Sequence, residues 1–211
     1  RLWTIRLATD DGLVTPALAN RFAELAKKEP HVEVRAQLAC SARRLPAKQC
    51  LAIVPSLCVH SEDLQDPYVP LLIWWAMEAK VKDSTADVLA MLKDKSLWAL
   101  PMVQQQLLAR LMQRYAQEGG KENWLVCAEL LRQSPSEDST KQLLVGFEQA
   151  FQGRAIPELP QPLLSALEST GQLPFAIRVR RGDSGAINQA LEVIADRKAD
   201  AGKREIGRAH V

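Results

Sequence analysis

The sequence lacks the short motifs that mark the common active sites and metal centres. Its 211 residues include four cysteines and three histidines, and none of them forms a C-x-x-C, C-x-x-C-H or H-E-x-x-H motif. These absences argue against a zinc knuckle, covalent haem attachment and a zinc-protease helix. A glycine-rich phosphate loop and the G-x-S-x-G motif are also missing. We therefore predict no catalytic, metal-binding or cofactor-binding residue in this chain.

Long apolar runs and a strong net charge are missing as well. The longest apolar stretch, residues 69–77, is far shorter than the roughly 18 to 20 residues of a transmembrane span. The 27 basic and 25 acidic residues almost cancel, which disfavours a nucleic-acid partner. Only 10 glycines occur, and apolar residues rarely alternate with polar ones, so β-strands are not predicted.

Prolines and capping residues divide the chain into short helical segments. Apolar residues recur every three or four positions in them, as Leu18, Phe22 and Leu25 do. Thr15 and Pro16 have the residue types of an N-cap and a first helical position. About twelve helices are predicted in this way, over residues 1–9, 16–28, 32–45, 46–58, 67–81, 84–92, 97–117, 122–132, 137–151, 163–168, 174–181 and 184–197.

The predicted helices arrive in pairs, and the pairs recur every roughly 30 to 40 residues, which is typical of helical-repeat proteins. A single pair has too little apolar surface to close a core, so it must stack on its neighbours. We therefore predict an all-α fold of the HEAT/armadillo-like α-solenoid kind, built from paired antiparallel helices. A compact all-α bundle remains the alternative.

One segment carries a family resemblance. The run E-P-H-V-E-V-R-A-Q-L-A over residues 29–39 resembles the first helix of a HEAT repeat. The resemblance implies that Pro30 opens the helix, that Val34 and Leu38 pack in the repeat core, and that Arg35 pairs with an acidic residue in the turn between repeats. The run D-P-Y-V-P-L from residue 66 is similar at its start but lacks the arginine.

Residues 1 to about 80 also resemble a narrower family. The runs R-L-W-T-I-R-L-A-T-D-D, V-R-A-Q-L-A-C-S-A-R-R-L-P and D-P-Y-V-P-L-L-I-W-W-A-M-E-A are similar to the helical-repeat segment of large planctomycete-type membrane-bound dehydrogenases and haem-binding-domain proteins. That family has a β-propeller before the repeats and a cytochrome c domain after them. The resemblance implies a periplasmic or exported parent protein that binds haem c outside this segment.

Three functions remain open for such a segment. The first is a non-catalytic helical-repeat scaffold or protein-interaction module, the linker region of a larger redox protein. The second is a contribution to the substrate or electron-transfer interface of a sugar-dehydrogenase-like, cytochrome c-containing enzyme. The third is a cytosolic HEAT-type adaptor. The expected partners are other proteins or other domains of the same polypeptide.

Both ends of the chain are expected to be truncated. The sequence begins with arginine instead of methionine, and residues 206–211, I-G-R-A-H-V, resemble a translated sequencing adapter. We therefore expect a fragment of metagenomic origin, with a repeat domain over residues 1–204 and a non-native tail over residues 205–211.

Trp74 and Trp75 are the strongest candidates for a partner-binding surface. Adjacent residues on a helix point about 100° apart, so both indoles cannot face the same strip of core, and one of them could anchor a partner on a groove. The favoured interpretation is nevertheless a central helix that is buried all round.

The remaining candidates are weaker. Cys40 and Cys50 could form a disulfide if two helices pack there, although reduced cysteines are favoured. His31 and the loop that begins at His60 are expected to be solvated, and so is the basic cluster Arg178, Arg180 and Arg181.

Overall fold

The computed structural model describes residues 1–152 and 155–195, and within these ranges the chain is helical. It contains thirteen α-helices and no β-strand among the described residues. The predicted all-α class is confirmed. The proposed tail, residues 205–211, lies outside the described residues.

The chain divides into two compact units, and the boundary in the sequence lies between Arg110 and Leu111. The first unit begins with six α-helices and a 3₁₀ helix, Ser61–Gln65, between the fourth and the fifth. A short seventh helix and a π-helical segment, Val103–Leu107, follow. The seven α-helices are α1 (Leu2–Ala8), α2 (Pro16–Lys28), α3 (Val32–Arg44), α4 (Ala47–Leu57), α5 (Val69–Val81), α6 (Thr85–Met91) and α7 (Lys95–Trp98).

Helices of the first unit pack on their second neighbours along the chain. α1 contacts α3 and α3 contacts α5, while α2 contacts α4 and α4 contacts α6. The successive helices α3, α4 and α5 also contact one another. From α1 to α6, alternate helices are therefore in contact with one another.

Small side chains allow these helices to approach closely. Ala26, Ala39, Ala42 and Ala76 have no exposed surface, and each lies on a helix that packs on others of the first unit. Leu38 is also fully buried, and burial of a leucine side chain stabilises a fold by about 1.5 to 3 kcal/mol. The core is therefore built at the faces where second-neighbour helices meet.

Capping residues set the starts of two helices in this unit. The Thr15 hydroxyl accepts the backbone N–H of Leu18 at 3.3 Å, and α2 begins at Pro16 as predicted. The prediction that the next helix after Asp66 starts at residue 67 was wrong, because α5 begins at Val69. The Asp66 carboxylate accepts the N–H groups of Tyr68 and Val69 and holds those residues in a turn.

The single helix predicted over residues 97–117 is divided in the structure. α7 ends at Trp98, a π-helical segment covers Val103–Leu107, and α8 covers Leu108–Glu118. Pro101 explains the division because a proline lacks an N–H and clashes with the carbonyl four residues earlier, which is that of Leu97. This division accounts for the thirteenth helix.

The second unit takes in most of α8 and contains five further helices: α9 (Gly120–Gln133), α10 (Glu137–Ala150), α11 (Gln161–Ser169), α12 (Phe175–Arg180) and α13 (Ser184–Ala195). α9 packs on α11, and the rings of Trp124 and Phe147 both lie against Phe151. A smaller cluster of Val179, Ala186 and Ala190 joins α12 to α13. In residues 1–152 and 155–195, no helix combines the length and hydropathy of a transmembrane span.

Candidate functional site

A buried ion pair joins α3 to the 3₁₀ helix that precedes α5. The Arg35 guanidinium donates through Nε to Asp63 Oδ2 at 2.7 Å and through Nη2 to Asp63 Oδ1 at 2.5 Å. Arg35 is 3% exposed and Asp63 is 2% exposed. The hydrogen bond to Asp63 raises the pKa of Arg35, although desolvation acts in the opposite direction. Two parallel hydrogen bonds to one carboxylate fix both the distance and the orientation of the two segments.

The same arginine also closes the end of α2. Its Nη1 donates to the backbone oxygen of Glu29, the C-cap residue of α2, at 2.8 Å. The Glu29 side chain, which is fully buried, accepts from Arg1 at 2.8 and 3.1 Å and from the His31 N–H at 3.2 Å. Cations near a helix C-terminus complement the helix dipole and the carbonyls that lack intrahelical partners. Arg35 therefore connects α2, α3 and the 3₁₀ helix.

His60 forms a second connection to α2. Its Nε2 lies 2.7 Å from the Ala26 oxygen, and its Nδ1 lies 3.0 Å from Glu62 Oε1. The Glu62 pKa is lowered, first by its own backbone N–H and then by His60. The expectation of a solvated loop at residue 60 was therefore wrong, since the loop contains a 3₁₀ helix that is bound to the end of α2.

This polar cluster is arranged to join helices. Each charged side chain in it already has a hydrogen-bonding partner within the protein. No group of three or more His, Cys, Asp or Glu side chains in the part of the chain that the structure describes could hold a metal ion. The cysteines are free thiols, with Cys40 exposed and Cys50, Cys58 and Cys127 buried, so the alternative of a bridge between Cys40 and Cys50 is not realised.

The four residues to which the HEAT resemblance assigns structural roles lie just before α3 and within its first two turns. Pro30 is exposed and immediately precedes the N-cap residue of the helix, His31. Val34 is 8% exposed, and Leu38 is completely buried. Together with Arg35, the last two residues face the interior of the first unit.

Trp74 and Trp75 point in different directions. Trp74 is 8% exposed and belongs to the core, whereas Trp75 is 40% exposed. The Arg43 guanidinium, from the last turn of α3, lies 6.0 Å from the centroid of the Trp75 ring. At this distance the cation is attracted to the face of the indole.

Leu71 and Lys80 on α5 are grouped with Trp75 and Arg43 in a surface that we call the Trp75 patch. Leu71 lies one turn before Trp75 on α5 and is 36% exposed. The Lys80 ammonium donates to the Arg43 backbone oxygen at 2.9 Å. Within the described residues, neither Arg43 nor Lys80 forms an ion pair with a carboxylate. The Trp75 patch therefore combines exposed apolar surface with two cations that lack carboxylate partners.

A groove formed by helices other than α3 and α5 is a weaker candidate for a binding site. Its volume is about 490 Å³, and it runs between the starts of α2 and α4. Small and neutral side chains form most of its wall, with one cation, Lys48, and one carboxylate, Asp87. Gln49 uses its amide N–H to bind the Val14 oxygen at 2.8 Å. The groove thus offers neither a net charge nor a large apolar anchor.

The basic cluster of the second unit is occupied by internal partners. Arg178 donates to Asp183 at 3.0 Å, Arg180 donates to the backbone oxygens of residues 156 and 157, and Arg181 pairs with Glu168. The expectation of solvated guanidinium groups was therefore incomplete, since each of the three holds neighbouring segments together.

Sequence reasoning missed Glu29 and Asp63 as buried residues and Arg43 as the neighbour of Trp75. The charge of Arg35 was the available signal, because a buried arginine requires an acidic partner. Which acidic residue pairs with Arg35 depends on how segments that are 28 positions apart in the sequence pack together.

Comparison with protein-family models, with curated proteins and with solved structures finds no match for this chain.

Proposed function

We propose that this chain is a HEAT-like helical-repeat module that acts as a non-catalytic protein-interaction scaffold. The observation that carries the proposal is the packing of helices on their second neighbours, α1 on α3 on α5 and α2 on α4 on α6. In a stacked array of helix pairs, each helix packs on the equivalent helix of the next pair, which is its second neighbour along the chain.

The Arg35–Asp63 pair supports the same proposal. Arg35 lies on the first helix of one pair, and Asp63 lies in the connection to the next pair. This is the place where the resemblance to HEAT repeats expects an arginine to meet an acid. A rigid connection between pairs is useful to a scaffold because it keeps the presented surface in one conformation.

The Trp75 patch supports an interaction role. Tryptophan and arginine are enriched among the residues that dominate binding energy at protein interfaces. An exposed indole next to an arginine without a carboxylate partner is therefore a suitable contact for another protein. The expected partner is a second protein or another domain of the same polypeptide.

The position of the module in a redox protein is a narrower proposal that rests on the resemblance of residues 1–80. In this proposal the module connects a propeller and a cytochrome c domain of an exported protein. The complete gene tests it, because a C-x-x-C-H motif downstream supports the redox parent, whereas a gene without that motif and without a signal peptide supports a cytosolic adaptor.

Hydrogen exchange in an Ile5→Ala variant tests the repeat architecture. Ile5 is the buried residue of α1, and its truncation costs about 2 to 5 kcal/mol. In an array, where stability is a sum of neighbouring terms, amide exchange should rise in α1 and less in α3, on which α1 packs, while α5 and α6 stay protected. The Thr4→Ala variant, with an exposed residue of the same helix, should leave the exchange unchanged.

A compact bundle predicts a different result. Such a bundle unfolds as one cooperative unit, so Ile5→Ala would raise exchange equally throughout residues 1–110. That outcome would reject the repeat array and retain only the all-α class.

A further inference from the structure

We infer that the Trp75 patch binds acidic peptide segments that carry an apolar side chain. In such a complex the apolar side chain packs on Trp75 and Leu71, and the carboxylates pair with Arg43 and Lys80. The inference deepens the proposed scaffold function and rests on it, because it names the chemistry of the partner.

The charges of the Trp75 patch determine the sign of the partner. Arg43 and Lys80 are held together by the hydrogen bond from Lys80 Nζ to the Arg43 oxygen. Neither has a carboxylate partner in the described part of the chain, although Arg44, the next residue, pairs with Asp10 at 3.4 Å. Two neighbouring cations without counterions attract an anionic ligand and disfavour a basic one.

The apolar part of the Trp75 patch determines that the partner must also carry an apolar side chain. A half-exposed tryptophan retains contact area for a ligand, and its buried portion limits the motion of the ring. Since Arg43 is on α3 and Trp75 is on α5, which pack together, the two groups are positioned before a ligand arrives. Preorganisation of this kind lowers the entropic cost of binding.

Trp3 provides a matched comparison within the same unit. It is 65% exposed, and the Arg6 guanidinium lies 5.3 Å from its ring centroid. Both residues belong to the single helix α1, and among the described residues no cation from a second helix lies over the Trp3 ring. The Trp3 pair thus has the same residue types without the two-helix arrangement, which makes Trp3→Ala the appropriate control.

The test uses the full chain and a short fluorescein-labelled peptide in which Leu-Phe is flanked on both sides by Glu and Asp residues. Fluorescence anisotropy should show saturable binding that weakens when salt rises from about 50 mM to about 300 mM, because exposed charges are screened. Trp75→Ala and Arg43→Gln should each weaken binding at least about tenfold. Trp3→Ala should change it less than about twofold, and circular dichroism should show all variants folded.

Other probes test the chemistry of the ligand. The same peptide with Ser-Ser in place of Leu-Phe should bind at least about tenfold more weakly. A single-stranded oligonucleotide of equal length and vesicles that contain phosphatidylserine should not compete. If either competes in a manner that Trp75→Ala abolishes, the ligand is a phosphate-bearing molecule and the assignment to acidic peptides is rejected.

Two results would reject the inference directly. The first is an absence of peptide binding by the folded chain, and the second is an equal loss of binding in the Trp3 and Trp75 variants. If hydrogen exchange still shows the graded pattern expected of a repeat array, either result rejects the Trp75 patch alone. Uniform exchange would instead reject the scaffold architecture, whatever the peptide does.

Discussion

Arg35 and Asp63 form a two-point ion pair in which both side chains are almost completely buried, with N–O distances of 2.7 and 2.5 Å. The pair spans 28 positions of the sequence and joins α3 to the 3₁₀ helix before α5. Because Arg35 also binds the Glu29 oxygen, removal of its guanidinium leaves a buried carboxylate and a helix-end carbonyl without a partner.

Substitution of Arg35 should therefore be strongly destabilising. We expect Arg35→Ala to lower the free energy of unfolding by about 3 to 5 kcal/mol, because it leaves the Asp63 carboxylate buried and unpaired. Asp63→Ala should cost somewhat less, because the Arg35 guanidinium keeps the exposed Glu62 carboxylate at 3.6 Å. The double variant Arg35→Ala/Asp63→Ala should cost less than the sum of the two single changes. Urea unfolding followed by circular dichroism measures these effects, and additive single and double effects would contradict the assigned pairing.

Only one of the four cysteines should react rapidly in the folded protein. Burial raises the pKa of Cys50, Cys58 and Cys127 to about 12, so at pH 8 their thiolate fraction is on the order of 10⁻⁴. Cys40 is exposed. We expect a disulfide reagent to modify one thiol per chain at pH 8, four in denaturant, and none rapidly in Cys40→Ser. Rapid modification of two or more thiols in the folded chain would contradict the buried positions.

The adjacent tryptophans should differ in their effect on stability. Trp74→Ala opens a cavity in the core and is expected to cost about 3 to 5 kcal/mol. Trp75→Ala removes a half-exposed ring and a cation–π contact, for which we expect a smaller loss of about 1 to 3 kcal/mol. Thermal and urea unfolding of both variants provide the comparison. If Trp75→Ala unfolds the chain, Trp75 is a core residue and cannot serve as a partner contact.

Local signals were sufficient to predict most helices. Thr15 caps α2 through a bond to the third residue after it, and such short-range contacts are visible in a sequence. The exception at residues 97–117 was also local, because one continuous helix was predicted through Pro101. Its effect on the preceding residues, which separates α7 from the segment that follows, was underestimated.

Long-range partners could not be predicted in the same way. The resemblance to HEAT repeats predicts that Arg35 needs an acid, but Glu62 and Asp63 are equally close in sequence. The structure buries Asp63 and leaves Glu62 exposed, a difference set by the direction of each side chain on the 3₁₀ helix. The approach of Arg43 to Trp75 likewise depends on how α3 packs on α5.

The last prediction concerns the turn between α12 and α13, where Gly182 adopts a φ of 78° and ends the preceding helix. The Asp183 carboxylate accepts the Ala186 N–H at 2.9 Å and the Arg178 Nε–H at 3.0 Å. These contacts lower the pKa of Asp183, and the bond from Ala186 has the larger effect. The tripeptide Arg181-Gly182-Asp183 thus ends one helix and caps the next.

A lowered pKa in the folded state defines the direction of the pH effect. The stabilisation by ionised Asp183 is complete above the ordinary aspartate pKa of 3.8 and is lost as the pH falls through the lower folded value. In Asp183→Asn, whose amide oxygen can still cap the helix, this part of the acid dependence should disappear. Arg178→Gln should reduce it and not abolish it. Melting curves recorded by circular dichroism between about pH 6 and pH 2 measure the three profiles, and identical profiles for the original chain and Asp183→Asn would refute the capping role.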